Sequence, residues 1–203
     1  MATKIHLPDT TGLTFDPEVH RYMLNDMVVP SVTQIIKGGG LFGDFTKFVD
    51  EEALKHAMEL GTAAHLATQY YDEKRLDMDA LSDEVRPFVD AWARFRMDTG
   101  VNINYCEVKV CHREMMYAGT VDRIVRWKNG TAAIIDIKTG VPQKWHAIQT
   151  YAYARAYAAK GRVIGRYSVY LDKEANYKVV EHKDGRDGDV WNACLTLHRW
   201  KQR

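Results

Sequence analysis

Residues Ala118–Gly140, AGTVDRIVRWKNGTAAIIDIKTG, decide how the rest of the chain is read. They predict two strands joined by a tight turn. Asn129-Gly130 tolerates positive φ at both positions, and the flanks TVDRIVRW and TAAIIDI are rich in β-branched and aromatic residues. Ala132 to Ile137 is apolar on both faces, the pattern of a strand covered on both sides, yet Asp136 and Lys138 stand at its end. A carboxylate there raises its pKa or is expelled unless a cation or strong donors satisfy it. Residues i and i+2 of a strand share a face, so Asp136 and Lys138 point together, and Asp122 on the preceding strand supplies a second carboxylate. Two carboxylates beside one ammonium make a place for a hard divalent cation, with a lysine left to orient a water or a phosphate oxygen. An Asp-x-Lys on a strand is more often a surface ion pair; Ile134, Ile135 and Ile137 argue against a solvated edge here.

The turn sharpens this. In a two-residue Asn129-Gly130 hairpin Lys128 pairs with Thr131, paired numbers sum to 259, and Asp122 lies opposite Ile137, on the far face from Asp136. A three-residue loop, Lys128-Asn129-Gly130 with Gly130 left-handed in a bulge, pairs Trp127 with Thr131 and sets Asp122 against Asp136. A shared cation therefore selects the bulged turn or an equivalent one-residue bulge elsewhere in the hairpin.

Composition sets outer bounds. A chain of 203 residues suits one domain with a substantial core. Lys and Arg total 28 against 27 Asp and Glu, so net charge makes no case for nucleic acid, and any polyanion site must be local. No apolar run approaches the ~20 residues that span a membrane, and MATKIHLPDT lacks the hydrophobic core of a signal peptide, so the expectation is a cytoplasmic protein with no membrane partner. Cys106, Cys111 and Cys194 fit reduced thiols, and the first two, five apart on a predicted strand, fall on opposite faces and do not readily chelate one metal.

Outward from the hairpin, Leu13 to Pro30 predicts an N-terminal hairpin turning at Asn25-Asp26, and Ser31 caps a short helix ended by Gly38-Gly39-Gly40. Asp44 to Lys74 is helical in pattern, with Gly61 inside it at a cost of about 1 kcal/mol relative to alanine. A helix that accepts this cost often meets another backbone or a ligand closely. His65 follows one turn later; a lone helical histidine is more often structural than ligating, but Ala63, Ala64 and Ala67 leave it open. A polar connection from about Asp72 leads to a helix over Ser82–Met97, its start open to shifting towards Pro87. The strand INYCEVKVCHR puts Glu107 and Lys109 on one face, where Glu107 is a supporting acid near the site or a half-exposed charge paired with Lys109. After Gly140, Trp145, Gln149, Tyr153 and Tyr157 recur every four residues on one helical stripe, with Gln149 the amide that must find partners. Val163–Asp172 and Asn176–Lys183 predict two further strands, and Asp189–Arg203 a closing helix.

Gly61-x-x-x-His65, Gly119-x-x-Asp122, Asp136-x-Lys138 and Gln149-x-x-x-Tyr153, in this order on helix, strand, strand and helix, resemble the PD-(D/E)XK nuclease superfamily, most closely its branch of RecB-like and phage exonucleases. The resemblance covers roughly residues 13–172. LTFDPEVHRY followed by PSVTQII is also similar to the amino-terminal hairpin of its stand-alone members. The resemblance implies an α/β fold with a mixed central sheet flanked by helices. The whole of residues 1–203 would be one nuclease domain, with 1–40 as N-terminal hairpin and short helix and 41–203 as core and C-terminal helix. It implies Mg²⁺ or Mn²⁺ held by His65, Asp122, Asp136 and the Ile137 carbonyl, with Asp122, Asp136 and Lys138 as the catalytic set and Gln149 and Tyr153 on the substrate side. DNA is the implied substrate, cut exonucleolytically to 5′-phosphate products in phage or bacterial recombination, repair or processing, beside a recombination or single-strand annealing partner protein. Members with an iron–sulfur cluster carry one cysteine upstream of the core and three late; here only Cys194 is late, so no cluster is expected. A structure-selective endonuclease using the same site and a non-catalytic DNA-binding module are the other classes; the latter would be signalled by loss of Asp136 or Lys138, and both are present.

Overall fold

The central hairpin forms with the bulged register. Strand β5 (Tyr117–Arg126) runs antiparallel to β6 (Ala132–Lys138), with Arg123 opposite Ile135 and Arg126 opposite Ala132, so paired numbers sum to 258. Trp127 N–H donates to the Thr131 carbonyl at 2.9 Å, Gly130 N–H donates to the Trp127 carbonyl at 2.9 Å, and Gly130 has φ +84°. This is the three-residue loop whose last residue needs the left-handed region. Carried one step past the last ladder pair, the register brings Asp122 opposite Asp136.

The computed structural model describes residues 5–42, 50–158 and 164–203. The expected helix start at Asp44 and strand start at Val163 lie outside the described residues. Around the hairpin stands a mixed five-stranded sheet in the order β4-β5-β6-β7-β8, with β4 (Asn102–His112), β7 (Gly165–Leu171) and β8 (Tyr177–Glu181). The β6–β7 pair is parallel and the other neighbours are antiparallel. A parallel neighbour requires a crossover, and α4 (Trp145–Tyr157) supplies it.

Helices cover both faces. On one, α1 (Val32–Gly38), α4 and α5 (Asp187–Lys201) pack Ile35, Ile148, Ala152 and Trp191 against Val110, Val121, Ile124 and Ile134. On the other, α2 (Glu51–Asp72) and α3 (Arg86–Thr99) pack Ala64, Trp92 and Phe95 against Val125, Ala133, Ile135, Ile137 and Val169. The two-sided apolar run of β6 is thus buried on both sides, and its even-numbered residues, Ile134, Asp136 and Lys138, share the α4 face.

Several boundaries refine the sequence reading, and three bear on the site. The N-terminal segment is a three-stranded antiparallel sheet, β1 (Leu13–Asp16), β2 (Arg21–Leu24) and β3 (Met27–Val29), rather than one hairpin. Helix α3 starts at Arg86, because Pro87 lacks an N–H and suits a first turn. Asp72, which the sequence reading placed both in the helical stretch to Lys74 and at the start of a polar connection, is the last residue of α2, and its side chain is fully buried. Ser31 and Gln34 close the expected helix start as a reciprocal capping box. No helix among the described residues is long and apolar enough to cross a membrane.

Candidate active site

The residues singled out in the sequence meet at the end of β6. Asp136 is 2 % exposed, and its Oδ2 lies 2.8 Å from Lys138 Nζ. The ammonium approaches at an angle poor for a hydrogen bond, and this buried oxygen has no well-aligned donor among the described residues. Burial pushes the Asp136 carboxyl up to about 7, against the pull of Lys138 and with a further push from Asp122. Beyond the last ladder pair the strands part, and Asp122 Oδ2 accepts the Ile137 N–H at 2.6 Å in place of a backbone carbonyl.

His65 comes from α2, its Nδ1 3.5 Å from Asp122 Oδ2 and its ring in contact with the Ile137 backbone. Burial holds its pKa below the usual imidazole value, outweighing the attraction of Asp122. The neutral imidazole that a metal needs is therefore favoured, and the side chain still keeps 32 % of its surface open. Gly61 eases this approach: a Cβ there would come within 3.1 Å of the Thr139 hydroxyl, which would have to shift slightly.

Helix α4 contributes the opposite wall. Lys138 Nζ donates to Gln149 Oε1 at 2.9 Å, and Gln149 Nε2 donates to the Tyr153 hydroxyl at 3.1 Å. The buried amide thus has partners on both sides, and the Tyr153 O–H is left to donate elsewhere. Burial, reinforced by Asp136 and Asp122, pushes that phenol well above its ordinary pKa and keeps it protonated. Lys138 also sits 5.5 Å from the centre of the Trp145 ring. A Cβ on Gly119 would come within 2.5 Å of the Tyr153 ring, so the glycine three residues before Asp122 lets α4 lie this close.

Glu107 lies on the neighbouring strand, between the ladder pairs Cys106–Arg123 and Val108–Val121, with φ +49°. Glutamate rarely takes that conformation, and here it turns the carboxylate onto Arg123 Nη1 at 3.2 Å. Burial and then Asp122 raise its pKa to about 7, Arg123 opposing. The pairing with Lys109 weighed from sequence is replaced by this contact with Arg123.

Sequence reasoning missed the group that ties these elements together. The fully buried Arg123 donates from Nε to Asp72 Oδ2 at 2.6 Å, from Nη1 to the Asp122 carbonyl at 2.7 Å and from Nη2 to Thr68 Oγ1 at 3.2 Å. Thr68 in turn donates to the His65 carbonyl at 2.8 Å. One guanidinium therefore joins the helix carrying His65 to the strands carrying Asp122 and Glu107. The available signal was a pair of adjacent charges, Asp122 and Arg123, flanked by Val121, Ile124 and Val125, which puts one charge on each face of the strand.

These side chains fit a hard divalent cation. Asp136 offers a buried oxygen without a well-aligned donor, next to a second carboxylate and a neutral imidazole. They do not stand as a ready-made cage, and no group of three His, Cys, Asp or Glu side chains does so among the described residues. Asp122 is turned onto the Ile137 N–H and Asp136 onto Lys138.

Residues 46–193 match the model of the PD-(D/E)XK nuclease superfamily. The chain belongs to this superfamily. Its members typically use a divalent metal, in keeping with the donor set above. None of the curated proteins matches the sequence. Among solved structures, the crystal structure of SSO0001 is 14 % identical over 83 % of this chain and 84 % of its own, with a TM-score of 0.37. That of LHK-Exo in complex with dAMP is 13 % identical over 86 % and 88 %, with a TM-score of 0.38. Both similarities are too remote to bear on the chemistry of this PD-(D/E)XK protein.

Proposed function

We propose that the protein is a Mg²⁺- or Mn²⁺-dependent deoxyribonuclease that hydrolyses DNA from its ends, with residues 1–203 forming one nuclease domain of the RecB-like and phage exonuclease branch. The observation that carries this reading is the convergence of Asp122, Asp136, Lys138 and His65 at one end of the sheet, with Gln149 and Tyr153 aligned behind the lysine.

In this reading Asp122, Asp136, His65 and the Ile137 carbonyl hold the metal. A bound divalent cation supplies Lewis acidity at the scissile phosphate and lowers the pKa of a water. Lys138 orients the attacking water and donates to a non-bridging phosphate oxygen as charge builds there. Gln149 fixes the ammonium by accepting a hydrogen bond from it, and Tyr153, which accepts from Gln149, serves the substrate side. Glu107, held by Arg123, supports Asp122. Hydrolysis leaves 5′-phosphate products, in the cytoplasm of the bacterium or of a phage's host, during recombination, repair or DNA processing with a recombination or annealing partner. No iron–sulfur cluster belongs to this reading. Cys111 and Cys194 lie in separate apolar clusters, and Cys106 lies beside Arg123.

The test is incubation with end-labelled linear DNA and covalently closed circular DNA, in Mg²⁺, Mn²⁺ or EDTA. Loss of the linear substrate only with metal, with the circle intact, is the expected result. Cleavage of the circle at a similar rate would replace the exonuclease with an endonuclease, and cleavage unaffected by EDTA would remove the metal mechanism.

A further inference from the structure

Strands β1 and β2 lie outside the segment 46–193 that places the chain in its superfamily, yet they wall a cavity of about 260 Å³ beside the candidate site. Phe15, His20 and Tyr22 form one side, and Glu107, Thr120 and Tyr153 the other. The Tyr22 and Thr120 hydroxyls are hydrogen-bonded at 2.7 Å, which fixes the small sheet against β5. Phe15 lies 4.5 Å from the Tyr22 ring, and exposed His20 stands edge-on to Phe15 at 5.2 Å. At the rim, exposed Lys109 places its Nζ 5.5 Å from the centre of the Phe15 ring.

We propose that this cavity receives the base of one unpaired nucleotide of the DNA substrate. The inference rests on the nuclease reading for the identity of the nucleic acid. The space admits one ring system and is far too small for a base pair with its two backbones. Its lining suits a base edge: the Tyr22 and Thr120 hydroxyls and the Glu107 carboxylate accept N–H groups, and Glu107 offsets the charge of Lys109, so that the cavity is not a purely cationic anion site. Aromatic side chains stack any base without regard to sequence. Lys109, which lines the cavity and is itself exposed, meets the backbone phosphate of the seated nucleotide. Continuity with the chemistry is direct, because Tyr153 closes the cavity on one side and holds Gln149, and through it Lys138, on the other.

The bland alternative is that the aromatic cluster only anchors the N-terminal sheet. The experiment separates the two by binding alone, with the wild-type chain in EDTA. Single-stranded oligonucleotides carrying 2-aminopurine at successive positions are titrated, together with strands abasic at each position. One position should show strong quenching on binding, and removing that base should weaken binding roughly five- to a hundred-fold. Phe15→Leu, which keeps apolar bulk without a ring, should weaken the base-containing strand by a similar factor and leave the abasic strand unchanged, and Phe15→Tyr should restore binding. Equal affinity for abasic and intact strands, quenching at no position, or a Phe15→Leu loss shared equally by both strands would each overturn the proposal. Failure of the nuclease reading would show separately, as absence of metal-dependent cleavage by the wild-type chain, with these binding curves still interpretable.

Discussion

Two buried ion pairs lie on opposite faces of the sheet and have been finished differently. Asp72, fully buried, accepts from Arg123 Nε at 2.6 Å, Arg96 Nη1 at 2.7 Å and the Trp92 indole N–H at 3.0 Å. Asp136 has one ammonium at 2.8 Å, a carboxylate of like charge nearby and an oxygen with no well-aligned donor. Both carboxylates have lost water, but only the first has recovered its hydrogen bonds within the chain. Asp72 is framework, whereas Asp136 keeps an oxygen that, in the proposed reading, a cation would engage. The number of donors, three on Asp72 against one ammonium on Asp136, separates the two pairs more clearly than burial does.

The largest expected effect follows from removing the unsatisfied partner. Asp136→Ala should lower metal-dependent cleavage on the order of 10⁴-fold, because a ligand and the charge balance at Lys138 go together. The fold should persist, and the melting temperature in EDTA should hold or rise as repulsion with Asp122 is relieved. End-labelled cleavage and a thermal melt in EDTA measure the two halves, and full retention of activity would break the assignment. Asp72→Ala should do the reverse. It strands a buried guanidinium and an indole N–H and should cost about 3–5 kcal/mol in urea denaturation. A loss under about 1 kcal/mol would show that the network is not framework.

Lys138→Ala tests the cationic side of the functional pair. Turnover should fall about 10²- to 10³-fold, while Mn²⁺ binding by calorimetry persists, since an ammonium does not ligate and the alanine leaves Asp136 without a competitor. Loss of metal binding in this variant would contradict the separation of roles.

The same pair gives a pH signature. The folded Asp136 carboxyl stands at about 7 against an ordinary 3.8, so the folded state binds a proton that the unfolded state has lost between those values. Its contribution to stability is complete below about pH 4 and disappears as pH rises towards 7. Glu107 shifts in the same direction, and the lowered pKa of His65 acts oppositely, taking stability away in acid. The informative quantity is therefore the wild-type stability minus that of Asp136→Asn, by urea titration in EDTA. It should fall between pH 4 and 7 and flatten when Mg²⁺ is added. A difference that rises across that window would mean that the carboxylate is stabilised as an anion without metal.

How far the sequence carried follows the same division. Asp122, Asp136, Lys138, Gln149 and Tyr153 are legible because strand and helix periodicity puts each on a definite face. The bulged turn was derivable because only one register lets Asp122 and Asp136 share a face. The Asp72–Arg123 pair was not legible, since its partners stand 51 residues apart and nothing local couples a helix's last residue to a strand interior. Glu107 was named as a supporting acid, but its left-handed backbone at φ +49° was not legible, because glutamate carries no turn signal and its partner Arg123 stands across the sheet. Local pattern locates the unsatisfied site, while the network that braces it is a product of tertiary packing.

The smallest effect probes how redundant that bracing is. The Trp92 indole N–H reaches both oxygens of Asp72, at 3.0 and 3.1 Å, but it is one donor beside two guanidinium groups. Trp92→Phe keeps most of the ring volume packed against Phe95 and removes only this hydrogen bond and part of the face presented to Arg123. If Asp72 is over-supplied, urea denaturation should register about 1 kcal/mol of lost stability, with Mn²⁺ affinity unchanged because Arg123 still grips Thr68 and the Asp122 carbonyl. A several-fold loss of metal affinity would mean that Arg123 depends on the indole to hold its place. The framework pair and the functional pair would then be one cooperative unit, and the contrast between them would be one of degree.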